Sequence, residues 1–217
     1  NPAQVPVRDI FEFNKAIIEN TQDLVCAYKP NMGFYEALGI DGLRALEKTV
    51  SVIPSDIPVI GDAKRGDIGS TSEAYASALY DYWGFDAITC NPFAGFDSVT
   101  PFLREGKGVF FWCRSSNPGA HDFQDLIVNS PDSGTGMPYY EYLARTIGSW
   151  RTEADIGLVV GATYPSELKR IRDVCPDLPI LVPGVGSQGG MLDASVASGI
   201  DSKGAGILIS ASRQVLY

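Results

Sequence analysis

The run Ile60-Gly61-Asp62-Ala63-Lys64-Arg65-Gly66-Asp67-Ile68 sets two acids and a lysine at the end of the apolar stretch Pro58-Val59-Ile60. Residues two apart on a strand project the same way, so Asp62 and Lys64 are predicted to stand side by side. Gly66 marks a turn, and Asp67 lies just beyond it. Charges this close shift one another's protonation and can stabilise charge that develops during a reaction. A solvated loop with an incidental ion pair would use the same residue types, because structural ion pairs perturb protonation too.

A second constellation lies near the carboxyl end of the chain. Pro183-Gly184-Val185-Gly186-Ser187-Gln188-Gly189-Gly190 is dense in glycine, which lets backbone approach a ligand closely and offers amides to an anion. Ser212-Arg213 follows the next apolar run, and an arginine there could grip a phosphate through two donors. Arg114-Ser115-Ser116-Asn117-Pro118-Gly119 opens the longest loop, a length often found in lids and binding loops, or equally a surface excursion with a Pro-Gly turn. Taken alone, Lys29 reads as a surface lysine at a strand end, and the single histidine, His121, as a solvated loop residue.

These groups need a scaffold, and the 217 residues suffice for one large domain or at most two small ones. Hydrophobic residues make up 45% and charged residues 20%, as in a globular protein with a real core. The net charge of −9 argues against a nucleic-acid partner, whose phosphates want a basic face. A small phosphate ester needs only local donors. The four cysteines show no paired spacing, and Cys26, Cys90 and Cys113 fall in or beside expected buried strands, so free thiols in a reducing compartment are expected. One histidine and no Cys-x-x-Cys make a zinc site unexpected. No apolar run approaches a membrane span and no secretory signal opens the chain, so the cytosol is the expected compartment.

The periodicity alternates helix and strand. Ile10, Phe13 and Ile17 share a helical face behind Asp9 as N-cap, and Leu24 to Tyr28 reads as a buried strand closed by Pro30. A helix from Gly42 to Val50, the strand into Asp62 and a helix from Thr71 to Gly84 follow. Strands are then expected at 86–90, 108–113, 156–160, 179–183 and 205–210, with helices at 97–103, 140–150, 166–174 and after Gly190. About seven short, continuously apolar strands with amphipathic helices between them imply a parallel α/β sheet buried on both faces. Polar residues gather after the strands at nearly every step. That distribution suits a (β/α)8 TIM barrel, whose active site lies at the strands' carboxyl ends, better than the single crevice of an open sheet. The count is one strand short, with a first strand and a last helix absent from the repeat. No linker divides residues 1–217, so a single domain is expected.

Together these pieces resemble the orotidine 5′-monophosphate decarboxylase family. The likeness runs in order through Lys29, Asp62-Ala63-Lys64-Arg65-Gly66-Asp67-Ile68, Ser116-Asn117-Pro118-Gly119-Ala120, the glycine-rich run from Pro183 to Gly190, and Arg213. The resemblance implies a homodimeric barrel that converts orotidine monophosphate to uridine monophosphate without metal or cofactor, the last step of pyrimidine synthesis. It implies that Lys64 protonates C6 as carbon dioxide leaves, that Asp62 lies against the substrate carboxylate, and that Lys29 bridges Asp62 and the ribose. Asp67 would reach across the dimer, with Ile68 and Thr71 beside it. Ser116 would read the pyrimidine edge, and Gln188 and Arg213 would hold the phosphate, with Pro183 at the start of that loop. Asp62 and Asp67 would favour the cationic form of Lys64.

The chain departs from the family in lacking the first strand, whose terminal aspartate binds the ribose. The Asp-x-Lys-x-x-Asp element is shared with magnesium-dependent sugar-phosphate decarboxylases and synthases of the same suprafamily, which remain alternatives. A non-catalytic nucleotide-phosphate-binding barrel is another.

Overall fold

A computed structural model describes residues 7–129, 134, 136–186 and 190–216, apart from the side chains of Val7, Gln214 and Leu216. The chain packs as two compact units, Asn1–Gly108 and Val109–Tyr217.

The first unit runs α1 (Val7–Thr21), α2 (Met32–Glu36), α3 (Gly39–Ser51), β1 (Ile60–Arg65), α4 (Gly69–Ser77), β2 (Ala87–Cys90) and α5 (Phe96–Val99). Helix α1 docks one residue away from the expected face. Phe13 is 44% exposed and Ile18 only 4%. Asn14 sets that rotation by donating to the Tyr35 hydroxyl at 3.0 Å and to Thr49 Oγ1 at 3.1 Å. Residues 14 and 18 share a helical face, so Ile18 goes inward with it. Asp9 lies inside the first turn rather than capping it, where a carboxylate still meets the positive end of the helix dipole.

The expected buried strand at Leu24–Tyr28 is not formed. Leu24 is 78% exposed, Cys26 is exposed, and the amides of Leu24 and Val25 turn back onto Thr21 O at the end of α1. Only Tyr28 and Asn31 make strand-like bridges, to Val59 and Asp62. The predicted helix over 71–84 begins earlier and changes form. α4 passes into a π-helical turn at Ala78–Tyr82, which buries Tyr80 with its hydroxyl 3.1 Å from Phe102 O and 3.2 Å from Gly108 O.

The second unit holds β3 (Gly108–Arg114), β4 (Ile127–Asn129), β5 (Gly136–Pro138), α6 (Tyr139–Ser149), β6 (Asp155–Val160), α7 (Pro165–Val174), β7 (Ile180–Pro183), α8 (Leu192–Gly199), β8 (Ile207–Ser210) and α9 (Arg213–Leu216). Strands β3, β6, β7 and β8 are neighbours in that order, and β7 runs parallel to both β6 and β8. Their apolar runs are buried as expected, Leu158, Val160, Ile180 and Val182 completely. The long segment after Arg114 is not featureless. It carries a 3-10 turn at Pro118–Asp122 and the antiparallel pair β4–β5. Arg172, 5% exposed, fastens this unit by donating to the carbonyls of Gly199, Cys175, Pro176, Leu178 and Gly206 at 2.6–3.0 Å.

All four cysteines are free thiols, and the buried three are Cys90, Cys113 and Cys175 rather than Cys26. Burial pushes the Cys90 thiol up to about 12, which keeps it un-ionised at neutral pH.

Candidate active site

Strand β1 is buried over its first half and opens toward solvent at its end. Its ladder with β2 pairs Ile60 with Ala87 and Gly61 with Ile88, then resumes only at Arg65 with Cys90, so β1 bulges between Gly61 and Arg65. Lys64 lies in that bulge with φ +47°, the one non-glycine residue in left-handed backbone among the described residues. Its amide donates to Thr89 Oγ1 at 3.0 Å, which holds the bulge closed.

Asp62 is the hub of the cluster. It is 8% exposed, and its carboxylate receives Lys64 Nζ on Oδ1 at 2.6 Å and Lys29 Nζ on Oδ2 at 2.7 Å. Thr89, itself 1% exposed, donates its hydroxyl to Oδ1 at 2.9 Å, and Asn31 Nδ2 reaches Oδ2 at 3.5 Å. Burial raises the carboxyl pKa, but Lys29 and then Lys64 overcome that, and Asp62 titrates below its ordinary range. One anion between two ammonium groups leaves the Lys29–Asp62–Lys64 cluster with a net positive charge. It suits an anionic ligand or a transition state that gathers negative charge.

The predicted partnership of Lys29, Asp62 and Lys64 is thus present. Thr89 and Asn31 were missed, because single polar residues inside or beside apolar runs read as core or turn residues. Asp67 is exposed, with Oδ1 accepting the Ile68 amide at 2.8 Å. Ile68 is 63% exposed, and Thr71 is exposed on the first turn of α4.

In the second unit, Ser116 and Asn117 follow β3 and line a cleft of about 480 Å³ with Pro118, Thr163 and Tyr164. Thr163 Oγ1 donates to Ser116 O at 3.1 Å and the Tyr164 hydroxyl to Asn117 O at 3.4 Å. The chain passes so closely that a Cβ on Gly161 would stand 2.6 Å from that of Ser116. Pro183 ends β7 opposite Ser210 of β8, so the glycine-rich run of the sequence and Arg213 follow the carboxyl ends of adjacent strands. Gly184 and Gly186 have φ of +93° and +69°, which explains glycine at both, and the Gly186 amide donates to Gly190 O at 2.7 Å. Arg213 is exposed as the first residue of α9, while Gln188 lies outside the described residues.

Among the described residues, no group of three or more His, Cys, Asp or Glu side chains could hold a metal ion, and no helix is long and apolar enough to cross a membrane.

Parallel strands alternating with helices, with charged groups at the strand ends, are the arrangement found in enzymes of the (β/α)8-barrel class. A sequence model of the Orotidine 5′-phosphate decarboxylase / HUMPS family matches residues 7–216, and the chain belongs to that family. It is 52% identical over 210 residues to the orotidine 5′-phosphate decarboxylase of Herpetosiphon aurantiacus, an alignment that spans 96% of this chain and 75% of that protein. The solved OMP decarboxylase of Leishmania donovani superposes with a TM-score of 0.88 at 39% identity, over 96% of this chain and 80% of that one. The UMP synthase of the same organism matches with a TM-score of 0.91 at 41% identity, over 97% of this chain but 46% of that longer chain. The protein is therefore a decarboxylase of the carboxy-lyase class, with the fold class expected from its sequence.

Proposed function

We propose that residues 1–217 form a single catalytic domain that decarboxylates orotidine 5′-monophosphate to uridine 5′-monophosphate, the last step of pyrimidine synthesis, without metal or organic cofactor. The observation that carries this reading is the buried Asp62 held between Lys29 and Lys64, with Lys64 Nζ 2.6 Å from Asp62 Oδ1. The C6–carboxylate bond breaks, carbon dioxide departs, and the electron pair stays on C6. Lys64 Nζ gives a proton to that carbon and is recharged from solvent. A fixed ammonium stabilises the pair as it develops, at little cost in reorganisation. Asp62 crowds a substrate carboxylate of like sign, and Lys29 links Asp62 to the ribose.

Ser116 reads the pyrimidine edge, while Arg213 and Gln188 hold the phosphate beside Pro183. The grip on the phosphate, remote from C6, supplies binding energy for positioning the base. The working form is a homodimer in the cytosol in which Asp67 enters the partner's site, flanked by Ile68 and Thr71. In the first unit Ile68, Phe93 and Phe96 are exposed at 42–84%, large apolar side chains of the kind a second copy would cover.

The test is carbon dioxide release from orotidine monophosphate, with chelator present and absent. Release that survives chelation and disappears in Lys64→Ala, with product binding retained, is expected. Turnover by Lys64→Ala would overturn the role of Lys64, and loss of activity with chelator would favour a magnesium-dependent relative.

A further inference from the structure

Arg114 ends β3 with 1% of its surface exposed and is the largest fully buried side chain among the described residues. Its guanidinium carbon lies 4.1 Å from the centre of the Tyr164 ring, a stacking distance, and 5.8 Å from that of Tyr140. Nη1 donates to Gln124 Oε1 at 3.2 Å and to Ser115 O at 3.4 Å, and Nη2 donates to Asp125 Oδ2 at 3.2 Å. Asp125 Oδ1 also lies 3.2 Å from Nη2 as an ion pair, while the buried Nε has no hydrogen-bond partner. Burying a guanidinium with a donor unmatched costs free energy, so core stability alone does not account for it.

The contacts of Arg114 converge on one short segment. Gln124, which it holds, accepts the Ser115 amide at 2.9 Å and donates from Nε2 to Ser115 Oγ at 2.9 Å. Tyr164, on which it stacks, bonds Asn117 O. Arg114 therefore supports the segment 115–117 from both sides, through Gln124 at its start and through Tyr164 at its end. Ser116, Asn117 and Tyr164, the ring on which Arg114 stacks, line the cleft.

We infer that Arg114 is a positioning residue that fixes the Ser116 segment for recognition of the substrate's base, without itself touching substrate. The inference rests on the proposed role of Ser116 in reading the pyrimidine. A planar fork with five donors can stack and bond at once, which a lysine cannot.

The experiment compares binding of uridine 5′-monophosphate with that of ribose 5-phosphate, which lacks the base. The proteins are wild type, Arg114→Met, Arg114→Lys, Gln124→Met, Ser116→Ala and the Arg114→Met/Ser116→Ala double variant. Each single variant is expected to lose about tenfold for the nucleotide and nothing for the sugar phosphate. The double variant is expected to be no weaker than the weaker single one, because both changes act through one contact. Equal losses for both ligands, or additive losses in the cycle, would overturn the inference. A wild type without preference for the nucleotide would overturn the role of Ser116, and this inference with it. Should Arg114→Met fail to fold, Gln124→Met decides: it frees Ser115 without removing a buried charge, and an undiminished base preference there refutes the proposal.

Discussion

Lys64 and Asp62 are joined twice. Lys64 Nζ meets Asp62 Oδ1 at 2.6 Å, and the Lys64 amide meets the Thr89 hydroxyl, which donates to the same oxygen. The second link crosses from β1 to β2, so the side chain of Lys64, its backbone and its counter-ion are located by one buried hydroxyl.

Thr89→Val keeps shape and removes that hydroxyl. The change should lower kcat about 10- to 100-fold, the worth of a hydrogen bond to a charged group, and leave affinity for the product nucleotide nearly unchanged. Steady-state kinetics beside product titration check this. An unaltered kcat would remove Thr89 from the support of Lys64.

Acid should weaken the fold through Asp62. Its pKa is lowered in the folded protein, so its stabilising contribution is complete above the unfolded value of about 4 and fades as pH falls through the folded one. Wild type should exceed Asp62→Asn in unfolding free energy at neutral pH, with the gap closing below about pH 4. Denaturant titrations across pH measure the gap, and a gap independent of pH would contradict the linkage.

Arg213→Ala should weaken a nucleotide far more than the corresponding nucleoside, by about 100-fold against little change. Equal losses in calorimetry would take Arg213 out of the phosphate site.

If Asp67 works in the partner's site, Asp67→Ala and Lys64→Ala proteins, each inactive, should regain part of wild-type activity when mixed and re-equilibrated. One site in such a heterodimer keeps both residues. Mixtures that stay inactive despite subunit exchange would return Asp67 to its own chain.

Arg172→Met should be costly although it touches no site residue. It leaves the carbonyls of Gly199 and Leu178, which Arg172 now serves, without that donor, at about 3 kcal/mol in sum, and should lower Tm on the order of 10 °C. Thermal unfolding with activity measured well below Tm separates this from a catalytic effect. An unchanged Tm would show that water serves those carbonyls as well.

Much of the α/β alternation was legible because buried strands of four to seven residues leave plain apolar runs, as at Ile180–Pro183 and Gly108–Arg114. The Asp62–Lys64 pairing was legible too, though not for the reason given by regular pleating. The ladder bulges there, and a left-handed residue restores the contact. Leu24 misled because hydrophobicity says nothing of whether a neighbour covers it, and Phe13 because one residue of helix rotation was set by the distant polar partners of Asn14. The reach of Arg114 was invisible for the same reason. Its partners Gln124, Asp125 and Tyr164 converge only once β3 and β6 are adjacent.

Left-handed backbone costs any residue with a Cβ about 1–2 kcal/mol, and glycine escapes that penalty. At Lys64 that cost is borne against the ion pair its ammonium makes with Asp62 and the bond its amide makes to Thr89. Glycine at position 64 would relax the backbone yet take one of two cations from the buried Asp62, so ease of the chain path and charge of the cluster pull this position in opposite directions.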